Sequence, residues 1–115
     1  MNFKIETFKI EENSIESEFT LLIGKNALGN EEIIKIANQN DIWFHFSEIS
    51  GPHIILQNNG ELIKKRDINQ IALKLFELKP KAPRNTSVIY TEVKNVSLTN
   101  TLGMVISKNY KIIKF

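Results

Sequence analysis

Two imidazoles and a carboxylate are the side chains in this sequence best equipped for chemistry. Asp41 and His45 lie in the run Asp41-Ile42-Trp43-Phe44-His45-Phe46, and His53 follows shortly after. Such a set could hold a divalent metal, or a His–Asp pair could act as a general base. As a catalytic site it lacks a nucleophile. The sequence has no cysteine, which removes thiol nucleophiles, thiolate-held metals and disulfides together. No serine stands in a Gly-x-Ser-x-Gly elbow. A metal-dependent enzyme built on Asp41, His45 and His53 is therefore a subordinate reading, and no cofactor is implied. The same residues can instead brace a turn, or contact a ligand without reacting with it.

A second chemistry is anion binding. Gly24-Lys25-Asn26-Ala27-Leu28-Gly29-Asn30 precedes an expected helix, and free backbone N–H groups at such a place can receive a phosphate. The loop lacks the Gly-Lys-Ser/Thr ending of a P-loop, and Glu31 and Glu32 set negative charge beside it. A plain strand-to-helix connection is the favoured reading.

The third is electrostatic. Net charge is only +2, but it is unevenly spread. Residues 1–24 carry Glu6, Glu11, Glu12, Glu16 and Glu18 against Lys4 and Lys9, whereas residues 61–115 carry eleven basic residues against Glu61, Asp67, Glu77 and Glu92. Lys64-Lys65-Arg66 and Lys79, Lys81, Arg84 bracket an expected helix, with Lys94, Lys108, Lys111 and Lys114 beyond. On charge alone a solvated lysine-rich surface is the favoured reading, and the asymmetry is a weak pointer to a polyanionic partner.

The elements that must position these groups follow from periodicity. Phe3–Glu11 and Ile15–Ile23 read as strands joined by the turn-forming Glu12-Asn13-Ser14, although the alternation of the first breaks near Thr7. Asn30 is expected to cap a short helix over 31–38. In Asp41–Phe46, Ile42, Phe44 and Phe46 share one face and Asp41, Trp43 and His45 the other. His53–Gln57 continues as a strand, stopped by Asn58-Asn59-Gly60. Asp67, with Gln70 as capping-box partner, opens a second helix whose buried stripe is Ile68, Ile71, Ala72, Leu75 and Leu78. Pro80 and Pro83 break it into an exposed basic loop. Ser87–Val93 is a β-branched strand, and Met104–Ser107 with Tyr110–Lys114 reads as a closing hairpin around Lys108-Asn109.

The expected fold is therefore α+β. About seven short strands form a mostly antiparallel sheet with two helices packed on it, in one domain over residues 1–115. The N-terminus lacks the pattern of a signal peptide, and no apolar run approaches the ~18 residues needed for a bilayer span. A cytoplasmic protein without membrane contact is the expectation.

The order of motifs carries a resemblance. Gly24-Lys25-Asn26 through Asn30-Glu31 resembles the opening pattern of the RNA-binding domain of NFACT proteins. Asp41-Ile42-Trp43-Phe44-His45 is similar to that family's Asp-x-Trp-Phe-His signature, and Gly51-Pro52-His53-Ile54-Ile55 to its Gly-x-His-Val element. Val88-Ile89-Tyr90-Thr91, Lys94-Asn95-Val96 and Gly103-Met104-Val105 resemble its closing segment. The resemblance spans roughly residues 3–115.

It implies a nucleic-acid-binding module rather than an enzyme, with RNA (tRNA or ribosomal RNA) as partner in ribosome-associated quality control. DNA is an alternative partner, and a ribosomal or NFACT-type protein a further one. The implied contact set is Lys25, Asn26, His45, His53, Lys64, Lys65, Arg66, Lys81, Arg84 and Lys94, with Trp43 a candidate to stack a base. One departure is Ser97-Leu98, where the family carries a basic pair. Fewer cations there imply weaker phosphate contact. A protein-docking role through the acidic first hairpin is the main alternative.

Overall fold

The first hairpin forms as its alternation and turn chemistry require. The structure, a computed structural model, describes residues 1–60 and 62–115. β1 (Phe3–Glu12) pairs antiparallel with β2 (Ile15–Gly24), in unbroken register from Phe3 opposite Gly24 to Glu12 opposite Ile15. Asn13 and Ser14 make the two-residue turn, with φ of 53° and 65°. Positive φ at both central residues is the geometry that matches the twist of a hairpin.

The break in alternation near Thr7 is not a bulge. Phe3 packs on one core and Phe8 and Ile10 on another, so a regular strand changes the face on which it buries side chains. Each layer covers only part of the ribbon.

The hairpin forms one side of a six-stranded antiparallel sheet, in the order β1-β2-β4-β3-β5-β8. β3 is Ile42–Phe46, β4 Ile54–Leu56, β5 Val88–Glu92 and β8 Lys111–Ile113. A separate ribbon joins β6 (Val96–Leu98) to β7 (Val105–Ser107). The described residues form eight strands, one more than the seven or so expected, because Val96–Leu98 pairs with β7 as a strand of its own.

Both faces of the sheet are covered, and this fixes the parity of every central strand. α2 (Lys65–Leu78) lays Ile71, Ala72, Leu75 and Phe76 against Leu21, Ile23, Phe44, Phe46, Ile54, Leu56 and Val88. α1 (Ala27–Ile36) and the β6–β7 ribbon cover the other face, where Ile33 and Ile34 meet Leu22, Trp43, Ile55 and Ile89. Phe44 and Phe46 thus face one core as expected. Trp43 faces the second and is only 1% exposed.

Three expectations need correction. Asn30 does not cap the first helix. Asn26 does, accepting from Gly29 N at 2.9 Å, and the helix starts earlier, at Ala27. Asp67 is not the cap of α2 either. It sits inside the first turn, where its carboxylate accepts from Lys64 N at 2.9 Å and from Arg66.

The closing hairpin is absent. β7 pairs with β6 while β8 pairs with β5, so the two segments join different sheets. The hydroxyl of Thr91 lies 3.2 Å from the carbonyls of both Lys108 and Asn109 and accepts from Asn95 Nδ2 at 2.9 Å. These bonds tie the Lys108-Asn109 corner to β5 and open it away from a turn.

Candidate nucleic-acid interface

A single broad cleft collects residues from five parts of the chain. Its volume is about 1060 Å³. Its walls are the start of α1 (Lys25, Asn26, Ala27), the end of β3 with the Ser47–Pro52 loop, and the Leu102–Met104 turn of the ribbon. Lys4 of β1 and Lys79 after α2 line it with exposed and half-buried side chains, and the Lys4 ammonium also lies 3.2 Å from Glu6. His45 is half-buried in it, and His53 and Asn30 are its buried members.

The walls meet here because short-range and long-range bonds agree. The β2–α1 junction is held by Lys25 N donating to the Asn2 carbonyl at 2.9 Å, and by the Asn26 cap. Gly24 leaves room for the Asn30 side chain, which any Cβ at residue 24 would strike. Across the cleft, Lys79 Nζ donates to the Ser50 carbonyl, fixing that cation to the Ser47–Pro52 loop. Glu31 accepts from Gly103 N at 2.9 Å and seats the ribbon turn against α1. Gly103 has a φ of +79° and lies close against Ala27, so only glycine suits it.

The interior is a locked polar cluster. Trp43 Nε1 donates to His53 Nδ1 at 3.1 Å, and His53 N donates to Asn30 Oδ1 at 3.1 Å. His45 lies edge-on to His53, with ring centroids 4.5 Å apart, and stacks on Trp43 at 5.8 Å. An indole N–H can only donate, so His53 Nδ1 must be bare and its proton sits on Nε2.

Burial pushes His53 down to about 3, with His45 beside it as a lesser cause. Burial also lowers His45, opposed by the nearby carbonyls of Gly51 and Phe46. Both imidazoles are neutral near pH 7 as a result. They act as hydrogen-bonding groups and add no charge to the site.

Lys25, Asn26, His45 and His53 therefore come together in the cleft. Lys81 and Arg84 are exposed in the loop that follows Lys79. Lys64, Lys65 and Arg66 stand at the other end of α2, about 20 Å away at 1.5 Å per residue. There Arg66 is paired with Glu12 and Asp67. Lys94 is elsewhere again, in the 3₁₀ turn Val93–Asn95, where Lys94 N donates to the Gln39 carbonyl and its ammonium lies 3.7 Å from Glu92.

Folding also partly cancels the charge asymmetry of the sequence. Lys74 meets Glu6 at 2.6 Å, and Glu12 meets Arg66. These pairs occupy two acids of the hairpin, the feature that favoured a protein-docking role.

Asp41 does not join the histidines. It sits at the other end of β3, buried, accepting from Asn38 N at 2.9 Å and Asn58 N at 2.8 Å. Among the described residues no cluster of three or more potential ligands forms a metal site. Trp43 is too deeply packed to stack a base. Lys4, Asn30 and Lys79 are site residues beyond the expected contact set. The basic loop already pointed toward Lys79, but Lys4 and Asn30 enter through strand register and helix packing, which no local signal reveals.

Comparison with known proteins shows the family of the chain. The family model described as NFACT protein RNA binding domain matches residues 4–112. Coiled-coil domain-containing protein 25 from Bos taurus is 32% identical over 91 residues, which cover 72% of this chain and 43% of that protein. The Rqc2 homolog RqcH from Bacillus subtilis (strain 168) is 28% identical over 85 residues, covering 73% of this chain and 15% of that one. The chain thus spans less than half the length of either relative.

A solved structure of the C-terminal part of the fibronectin/fibrinogen-binding protein from Streptococcus suis superposes with a TM-score of 0.73 over 84% of this chain and 40% of its own. At 24% identity this likeness concerns the fold. No helix is long and apolar enough to cross a membrane among the described residues.

Proposed function

Because this chain belongs to the family of NFACT RNA-binding domains, we propose that it binds RNA, either tRNA or ribosomal RNA, through the cleft between α1 and the Ser47–Pro52 loop. The observation that carries this reading is the placement of Lys4, Lys25 and Lys79 around neutral His45 and His53. Rim cations take phosphates, and interior polar groups meet bases or 2′-hydroxyls. Lys81 and Arg84 extend the rim. Lys64 and Lys65 provide a second contact about 20 Å away, a span that suits a folded RNA better than a short strand. Lys94 is a peripheral phosphate contact. The setting we propose is ribosome-associated quality control, with no enzymatic step on this chain.

Filter binding with tRNA and duplex DNA at two salt concentrations tests the proposal. The expected result is tRNA binding that weakens steeply with salt. Absence of tRNA binding at low salt, or binding indifferent to salt, would overturn it. Preference for duplex DNA would replace RNA with DNA as the ligand. Co-sedimentation with ribosomes that survives nuclease and high salt would favour docking on a protein instead.

A further inference from the structure

Two donors carried by largely buried side chains reach the cleft surface without an acceptor among the described residues. His53 is 2% exposed and Asn30 7%. The Trp43 bond to Nδ1 leaves the His53 proton on Nε2. The His53 backbone N–H fixes Asn30 Oδ1 as acceptor, which makes Nδ2 the free end of that amide. No hydrogen bond from His53 Nε2 or Asn30 Nδ2 reaches any described residue, and both side chains line the cleft. Neither atom is sealed from solvent, so each can donate to a ligand that enters the cleft in place of water.

The charge of the site decides what that partner is. The interior donors are neutral amide and imidazole groups. The cations that line it, Lys4, Lys25 and Lys79, are all more exposed than His53 and Asn30 and so stand toward its rim. A phosphate on the floor would be buried without a counter-charge, which is costly. A neutral acceptor inside, with its phosphate at the rim, satisfies both. A nucleotide has this layout: carbonyl or ring-nitrogen acceptors on the base edge, and an anion one sugar away. In an A-form duplex the Watson–Crick edge is already paired and the major groove is deep and narrow, whereas an unpaired base can be splayed out to bring its acceptors to a recessed donor.

We infer that the cleft is a pocket for the base of an unpaired RNA nucleotide, whose edge acceptors are read by His53 Nε2–H and Asn30 Nδ2. This rests on the RNA-binding reading above and adds to it a strand state and a contact. The adjacent phosphates lie against Lys25 on one side and Lys79 on the other. The Trp43 bond is a positioning device, since it holds the His53 ring in the tautomer that donates into the cleft.

The test uses the unaltered protein, labelled with ¹⁵N-histidine, and three probes: a short oligouridylate, an abasic oligomer of the same length, and a blunt RNA duplex. The oligouridylate is expected to bind about tenfold more tightly than either other probe, in line with the contribution of one bound base. The His53 Nε2 resonance should shift with the oligouridylate and stay in place with the abasic strand. Equal affinity for all three, or an unmoved Nε2 resonance while the oligouridylate binds, would overturn the pocket and leave RNA binding intact. If neither these probes nor tRNA binds at low salt, the RNA reading fails and the pocket with it.

Discussion

Trp43 and His53 are coupled across adjacent strands. The indole N–H of β3 donates to the imidazole just before β4 at 3.1 Å, with both rings buried. One bond does two things. It satisfies the only polar atom of the indole, and it decides which histidine nitrogen carries a proton. The core on the α1 face and the polar interior of the cleft therefore share one pair of side chains.

Trp43→Phe removes the donor and leaves His53 Nδ1 buried without a partner. The expected cost is about 1–3 kcal/mol for the unsatisfied atom, with a further loss from the smaller ring. Urea unfolding should show a lower midpoint at unchanged slope. The His53 ring should lose its fixed tautomer, visible in long-range ¹H–¹⁵N spectra.

Stability should fall as the solution is acidified below the range of an ordinary histidine. The folded His53 is pushed down to about 3, from an ordinary value of 6.5. Between those values the unfolded chain binds a proton that the folded chain refuses. The stabilisation is complete above about pH 6.5 and is lost toward pH 3, with a limiting slope of about 1.4 kcal/mol per pH unit for one such group. His45 is lowered in the same direction. Glu6, also lowered, by its bond to Lys74, contributes with the same sign only below the ordinary glutamate value of 4.5. Denaturant unfolding at pH 5 and pH 7 therefore isolates the histidines.

Asp41→Ala should destabilise the fold without touching RNA affinity per folded molecule. Both oxygens accept backbone N–H bonds, from Asn38 and Asn58. Losing them leaves two donors without partners, at about 1–3 kcal/mol each when buried. A lower unfolding midpoint with an unchanged dissociation constant is the expected pair of results. A large loss of affinity in the folded variant would return Asp41 to the site.

Lysines at the rim and at the far end of α2 should separate by ligand size. Lys25→Ala with Lys79→Ala should weaken both a short single strand and tRNA. On a single strand the salt slope should fall by roughly 0.7 for each phosphate that no longer meets a cation. Lys64→Ala with Lys65→Ala should weaken tRNA alone, since a short strand seated in the cleft does not span about 20 Å of helix. Titrations of both ligands at several salt concentrations read this out. Equal weakening of both ligands by the second pair would place the binding surface at the start of α2.

Much of the molecule is written in local sequence. The alternation of Ile42, Phe44 and Phe46 against Trp43 and His45 fixes the faces of β3, because side chains alternate with period two in any strand. The stripe through Ile71, Ala72 and Leu75 fixes the buried face of α2 in the same way. The four motifs between Gly24 and Val105 are enough for the family resemblance, which the match to the family model over residues 4–112 supports.

What only the tertiary structure decides are the facts set by partners far along the chain. Asn30 looks like a helix cap, yet it is drawn inside by His53 N, twenty-three residues on, while Asn26 caps. Met104–Ser107 and Tyr110–Lys114 look like a hairpin, yet Thr91 holds the corner between them and sends β7 and β8 to different partners. The basic clusters bracket the second helix in sequence, yet Glu6 and Glu12 reach across the fold to neutralise Lys74 and Arg66. Periodicity reports which face a residue takes. It carries no information on which distant atom meets it there, and in this chain those meetings make the cleft.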